Sequence, residues 1–106
     1  MRVGFLLKVK KEMIPEYKRR HENVWPEMLS ALNRNGWWNY SLFLSKDGLL
    51  FGYFETPVSL EEANSKMSLE EINTKWQTDM GPFFEAPDGS QPDEVIVELD
   101  EVFYVK

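Results

Sequence analysis

The sequence predicts an α+β domain of the ferredoxin-like class, in which a βαββαβ chain forms a four-stranded antiparallel sheet with its helices on one face. Three observations predict it: strand patterns at both ends and in the middle of the chain, two segments with helical spacing, and an Asp-Gly turn between the middle strands. The chain has 106 residues, a usual size for one domain. We therefore predict a single domain over residues 1–106.

The first strand and the first helical segment follow from two different periods. The strand is indicated by apolar residues at every second position: Val3, Phe5, Leu7 and Val9. Pro15 is tolerated in a first helical turn, and apolar or aromatic residues then recur at steps of three and four: Tyr17, His21, Val24, Met28 and Leu32. Pro26 lacks the backbone N–H of a helix interior, so we expect it to kink or restart the helix. Asn35-Gly36 should end it.

The two middle strands are predicted to form a hairpin. The second strand is indicated by apolar or aromatic residues at every second position: Trp38, Tyr40, Leu42 and Leu44. Asp47-Gly48 supplies the turn, and Leu49–Glu55 is predicted as the third strand. The alternation assigns Trp37 and Phe43 to one face of the sheet and Trp38 and Tyr40 to the other. The face opposite the helices therefore needs a cover, and we expect a second copy of the chain to form a homodimer there.

The second helical segment opens at Thr56-Pro57. Ser68 followed by Glu71 resembles a capping box that restarts the helix. One apolar face is then predicted at helical spacing: Leu69, Ile72, Trp76 and Met80. Residues 81–93 form a loop rich in Pro and Gly, and a loop of this length is often a functional lid. Residues 95–105 are predicted as the final strand.

Composition excludes several kinds of chemistry. There is no Cys, one His, and a formal net charge of −6. Thiolate nucleophiles, disulfides, thiolate zinc sites and poly-histidine metal sites are thereby excluded, and an acidic chain is a poor partner for nucleic acid. Neither a dinucleotide fingerprint nor a phosphate-binding glycine loop is present. No apolar run is long enough for a membrane span, and Met1-Arg2 leads directly into the first strand pattern, so we expect a cytoplasmic protein.

His21 is the candidate acid–base group, because its unperturbed pKa of about 6.5 lies near neutrality. Tyr17 lies one helical turn earlier on the same face, and Tyr40 and Trp76 are expected nearby. The alternative interpretation is that these are core residues with satisfied polar tips. Phenols, an imidazole and an indole suit a neutral polyhydroxylated ligand, since indole faces stack on the C–H faces of sugars.

The segment from Tyr17 to Glu27, YKRRHENVWPE, resembles the signature of the L-rhamnose mutarotase family. The resemblance extends over essentially the whole chain, through Asn39-Tyr40, Lys75-Trp76 and the segment EVFY at residues 101–104. It implies a cofactor-free isomerase that interconverts the α and β anomers of L-rhamnose on a dimeric α+β barrel. It implies a small sugar as the binding partner and a site without a metal ion.

The resemblance also implies residue roles. His21 corresponds to the proton donor, Tyr17 and Tyr40 to substrate-binding tyrosines, and Trp76 to a substrate-contacting indole. The family has a second Trp directly after this one, where the present chain has Gln77. Gln can hydrogen-bond a sugar hydroxyl but cannot stack on the ring. We therefore include Gln77 among the expected substrate-binding residues and expect sugar selectivity to be the property that this substitution affects.

Mutarotation needs only proton transfers. A base removes the proton of the anomeric hydroxyl, an acid protonates the ring oxygen, and the open aldehyde recloses on its other face. The sequence does not identify the base, and His21 could carry both protons. Two alternatives remain open: a non-catalytic sugar-binding module, and a cofactor-free monooxygenase or lactone isomerase on the same dimeric fold.

Overall fold

The computed structural model describes residues 1–85 and 95–106. Its elements, in chain order, are β1 (Arg2–Lys8), α1 (Ile14–Arg20), α2 (Pro26–Arg34), β2 (Trp38–Leu44), β3 (Leu49–Glu55), α3 (Leu60–Ser68), α4 (Glu71–Met80) and β4 (Val97–Leu99). Short 3-10 turns lie at Lys11–Met13 and Gly81–Phe83. The predicted order of strand, helical segment, two strands, helical segment and strand is confirmed.

The four strands form one antiparallel sheet in the order β2-β3-β1-β4, which is the order of a ferredoxin-like sheet. The inward residues of β1, Val3 and Phe5, are almost fully buried, together with Phe54 of β3. They pack with buried residues of α2 and α3, among them Met28 and Ala63. The predicted fold class is therefore confirmed. Within the described residues, no helix is long and apolar enough to cross a membrane.

Proline and glycine set the local breaks as predicted. Pro15 and Pro26 both lie in first helical turns, so the first helical segment is two helices, with His21 capping the end of α1. Gly36 and Gly48 have φ angles of +80° and +93°, which an L side chain rarely adopts. Both turns therefore form where the sequence predicts them.

The predicted capping box at Ser68 is wrong. Ser68 is the last residue of α3, and its hydroxyl donates to the Ser65 carbonyl at 2.6 Å. Ser59 instead caps the N-terminus of α3, where its Oγ accepts a hydrogen bond from the Glu62 backbone N–H at 3.1 Å. Leu69 follows Ser68 in the turn between α3 and α4 and is 87% exposed, so it does not share the buried face of α4 as predicted.

The predicted assignment of the β2 aromatics to faces is also wrong. Asn39 has a φ of +49°, and the pairing register shifts between Trp38 and Ser41. An irregularity of this kind breaks the alternation of side chains. Trp37 and Tyr40 consequently lie on the same side, with ring centroids 5.2 Å apart, while Trp38 is exposed.

The final strand is shorter than the predicted 95–105. Val97, Glu98 and Leu99 pair with Leu6, Phe5 and Gly4 of β1, and residues 100–106 follow without strand structure. They are held instead by Arg2, which makes two hydrogen bonds to Glu101, at 2.8 and 3.0 Å, and lies over the Tyr104 ring. Of the predicted loop at 81–93, residues 81–83 form a turn and Phe84 bridges to Val9. Residues 86–94 lie outside the described chain, and the lid stays a prediction.

Two strand glycines allow a matched test of core packing. A Cβ on Gly52 would lie 2.1 Å from Cζ of the buried Phe5 ring, whereas a Cβ on Gly4 would meet only ordinary contacts, the nearest at 3.5 Å. We expect Gly52→Ala to lower the free energy of unfolding by about 1–3 kcal/mol, because the Phe5 ring must move. Gly4→Ala should change it by less than about 1 kcal/mol. Urea unfolding of both variants measures the difference; equal effects would contradict this packing.

Candidate active site

Two adjoining cavities lie between the sheet and the helices. The large cavity has a volume of about 340 Å³, within the usual range for small-molecule sites, and the small cavity about 90 Å³. His21, Tyr40, Trp76 and Gln77 line both cavities, and Tyr17 lines the small one. The structure thus brings together all five residues that the sequence predicts for the site, from α1, β2 and α4.

The His21 ring is held in a defined orientation. Its Nδ1 lies 2.9 Å from the Tyr17 carbonyl oxygen, one turn earlier. Because a carbonyl oxygen only accepts hydrogen bonds, Nδ1 carries a proton, and Nε2 is the nitrogen that gains or loses one. The ring lies tilted over Tyr17, with centroids 4.3 Å apart, and meets Trp76 edge to face at 5.5 Å.

Burial sets the protonation state of His21. Removal of the ring from water lowers its pKa below the usual 6.5, and the hydrogen bond to the Tyr17 carbonyl opposes this effect only in part. The imidazole is therefore mainly neutral at pH 7. In this state Nε2 carries a lone pair that can accept a proton.

Both tyrosines stay protonated near neutral pH. Burial raises the pKa of Tyr17 and of Tyr40 far above the usual 10, and the proximity of Tyr40 raises that of Tyr17 further. Tyr17 packs edge to face against Phe84, and Tyr40 packs against Trp37. Two fixed phenols can therefore donate and accept hydrogen bonds, but neither can serve as the base.

The indole of Trp76 is oriented by a second tryptophan. Trp25 meets it edge to face, with ring centroids 5.0 Å apart. Trp25 belongs to the motif recognised in the sequence but is not among the predicted site residues. Its position directly before Pro26 places it at the start of α2, where it can reach Trp76 on α4. Trp25 therefore supports the wall of the site that Trp76 lines.

Three amides line the large cavity, of which the sequence identified only Gln77. Asn64 on α3 and Asn73 on α4 are the other two. Gln77 Nε2 donates to Asn73 Oδ1 at 3.3 Å, and Gln77 Oε1 is buried without a hydrogen-bond partner among the described residues. The spacing in the sequence could have identified Asn73, since it precedes Gln77 by one helical turn on a helix whose inner face is otherwise apolar.

The remaining wall of the large cavity is apolar. Its residues come mainly from α2 and the segment before it: Val24, Met28, Leu29, Leu32 and Met67. An apolar wall facing phenols and amides fits a ligand with C–H faces and hydroxyl groups. In the part of the chain that the structure describes, no group of three or more His, Cys, Asp or Glu side chains could hold a metal ion.

Comparison with known proteins gives the same family at the level of sequence. The sequence model of the family described as L-rhamnose mutarotase matches residues 2–105. The L-rhamnose mutarotase of Oceanobacillus iheyensis is 40% identical, over 98% of this chain and 97% of its own. That of Bacillus subtilis is 36% identical, over the same shares of the two chains.

A solved structure agrees. The crystal structure of an L-rhamnose mutarotase from Formosa agariphila superimposes with a TM-score of 0.80 at 31% sequence identity, covering 100% of this chain and 99% of that one. The resemblance seen in the motif is thereby confirmed over the full length of the chain. This chain belongs to the L-rhamnose mutarotase family.

Proposed function

We propose that the protein is an aldose mutarotase that interconverts the α and β anomers of L-rhamnose. One observation carries the proposal: a single imidazole, with Nδ1 fixed and Nε2 without a hydrogen bond to any described residue, lines a cavity together with two neutral phenols and an indole. The names of the relatives supply the sugar.

The proposed step uses His21 twice. Nε2 of the neutral ring takes the proton of the anomeric hydroxyl while the electron pair of the C1–O5 bond passes to the ring oxygen. The imidazolium so formed then gives its proton to that oxygen, which leaves an open aldehyde and a neutral His21. Rotation about C1–C2 followed by the reverse steps yields the other anomer. His21 is thus the proton donor that the family resemblance implies, after it has acted as the base.

The aromatic residues hold the substrate in this proposal. Tyr17 and Tyr40, as phenols that stay neutral, donate hydrogen bonds to sugar oxygens and keep C1 near Nε2. Trp76 packs against a C–H face of the ring, and Trp25 keeps the indole in place. Gln77 binds a hydroxyl. The step as written balances in protons and electrons without a cofactor.

Two observations favour the mutarotase over its alternatives. A monooxygenase or lactone isomerase acting on an aromatic or lactone substrate would suit a drier pocket than one with two phenols and three amides. A sugar-binding module has no need of an imidazole that burial keeps neutral and whose Nδ1 is fixed by a hydrogen bond. The cytoplasmic location stays a prediction of the sequence.

We also propose that the chain forms a homodimer through the sheet face opposite the helices. Phe43 and Phe51, cross-strand neighbours on β2 and β3 with ring centroids 6.3 Å apart, are both exposed there. Leu49 and Val97 are exposed on the strands of the same sheet. A contiguous apolar patch on a sheet is typical of a protein interface, and a second copy of the same face is self-complementary.

The first prediction concerns His21. We expect His21→Ala to lower the catalysed exchange rate by about 10²- to 10⁴-fold, because the imidazole that moves both protons in the proposed step is lost. Sugar affinity should change by less than about tenfold, because the phenols and amides remain. Saturation-transfer NMR of the anomeric protons measures exchange, and titration of the protein resonances measures affinity. Arg20→Ala, an exposed neighbour on α1, is the control; full exchange in a folded His21→Ala protein would reject the role.

The second prediction concerns pH. Since the neutral imidazole acts first, the catalysed rate should stay constant from neutral pH up to about pH 9 and fall below the lowered pKa of His21, at a pH under about 6.5. The raised pKa values of Tyr17 and Tyr40 leave the alkaline side flat. Exchange rates corrected for the uncatalysed reaction give the profile. A rate that instead falls as the pH rises from 6 to 8 would show that a preformed imidazolium is required.

The third prediction concerns assembly. Phe43→Glu should convert the dimer to a monomer of 12.5 kDa, because it places a charge in the apolar interface. Leu69→Glu adds the same charge at an exposed leucine away from the sheet and should leave the dimer intact. Sedimentation velocity distinguishes the species. A monomeric wild-type protein, or loss of the dimer in both variants, would contradict the proposed interface.

A further inference from the structure

We propose that Asn64 and Asn73 determine which sugars the site accepts, Asn64 by binding a non-reacting hydroxyl and Asn73 by positioning Gln77 to bind another. This inference rests on the proposed function and extends it to residues that neither the sequence motif nor the comparisons identify. The evidence is the hydrogen-bonding state of the three amides and the charge of the cavity walls.

The Asn73–Gln77 pair lacks one hydrogen-bond partner whichever way its amides point. As placed, Gln77 Nε2 donates to Asn73 Oδ1 and the buried Gln77 Oε1 is without a partner among the described residues. If both amides were rotated by half a turn, Asn73 would donate to Gln77 and the buried Gln77 nitrogen would be without an acceptor instead. A hydroxyl group both donates and accepts, so a sugar hydroxyl satisfies the pair in either arrangement.

Asn73 holds Gln77 in place rather than acting alone. It is 4% exposed, the most deeply buried of the three amides, and one turn from Gln77 on α4. Gln has three rotatable side-chain bonds, and the hydrogen bond to Asn73 removes much of that freedom. A ligand that binds Gln77 therefore benefits from an amide that is already oriented.

Asn64 reaches the site from a different helix. It lies on α3, is half-buried, and lines both cavities. Within residues 1–85 and 95–106 its side chain takes part in no hydrogen bond that would hold it away from a ligand. Its amide is thus available to a second hydroxyl, and its contribution should be separable from that of the Asn73–Gln77 pair.

The charge of the walls favours a neutral ligand. Among the described residues, those that line the two cavities include no Lys, Arg, Asp or Glu. The titratable side chains there are His21 and the two tyrosines that stay neutral. A phosphorylated or carboxylated sugar would find no countercharge, whereas an uncharged polyol meets donors and acceptors from three amides. Since amides do not transfer protons, their effect should fall on binding and not on chemistry.

The test is a set of near-isosteric variants with KM and kcat measured for L-rhamnose exchange by saturation-transfer NMR. Asn64→Leu, Asn73→Leu and Gln77→Met should each raise KM about tenfold while kcat stays within about twofold. Asn73→Leu combined with Gln77→Met should raise KM no more than Gln77→Met alone, because Asn73 acts through Gln77. Asn33→Leu, which removes an exposed amide of α2 outside both cavities, is the control and should not change KM.

Unchanged KM in Asn64→Leu and Asn73→Leu overturns the inference, and additive effects in the double variant overturn the positioning role of Asn73.

A second measurement uses only the wild-type protein. Monodeoxy analogues of L-rhamnose should include at least one whose kcat/KM is about tenfold lower or more, and equal kcat/KM for all of them also overturns it. If the wild-type protein catalyses no exchange, the mutarotase function is wrong. The amide inference is then tested by the same comparisons made on sugar binding, with Kd in place of KM.

Discussion

The hydrogen bond between His21 Nδ1 and the Tyr17 carbonyl is the contact on which the proposed chemistry depends. It exists because α1 ends at Arg20, which leaves the Tyr17 carbonyl close to the ring of the residue that caps the helix. The bond fixes the tautomer and leaves Nε2 as the nitrogen that exchanges protons. Tyr17 stacks beneath the ring and Trp76 meets its edge, so packing holds the orientation that the bond sets.

Burial then determines how this imidazole can act. The same removal from water lowers the pKa of His21 and raises those of Tyr17 and Tyr40, since a buried group disfavours its charged form whichever sign it carries. The site therefore contains one neutral imidazole, which can accept a proton, and two neutral phenols. The assignment of roles in the site follows from a single physical effect acting on three groups with different charged forms.

Much of the fold was predictable because local chemistry determines it. Pro26 restarts a helix and Gly48 closes a hairpin wherever they occur in such patterns, and the turn from Tyr17 to His21 follows from helical spacing. The errors occur where tertiary structure decides. The positive φ of Asn39 moves Trp37 to the side of Tyr40, and the segment after Leu99 contacts β1 through the Arg2 side chain rather than by strand pairing. Asn64 enters the site only because α3 packs beside α4, which no local pattern in the sequence reveals.

The proposed chemistry depends on the tautomer of His21, which can be measured without overlap because the chain has one histidine. Nitrogen-15 NMR of a protein labelled in the imidazole reports the protonation of each ring nitrogen separately. At pH 7 we expect a neutral ring with the proton on Nδ1 and an unprotonated Nε2. A ring protonated on Nε2, either as the other neutral tautomer or as imidazolium, would contradict the proposed role of His21.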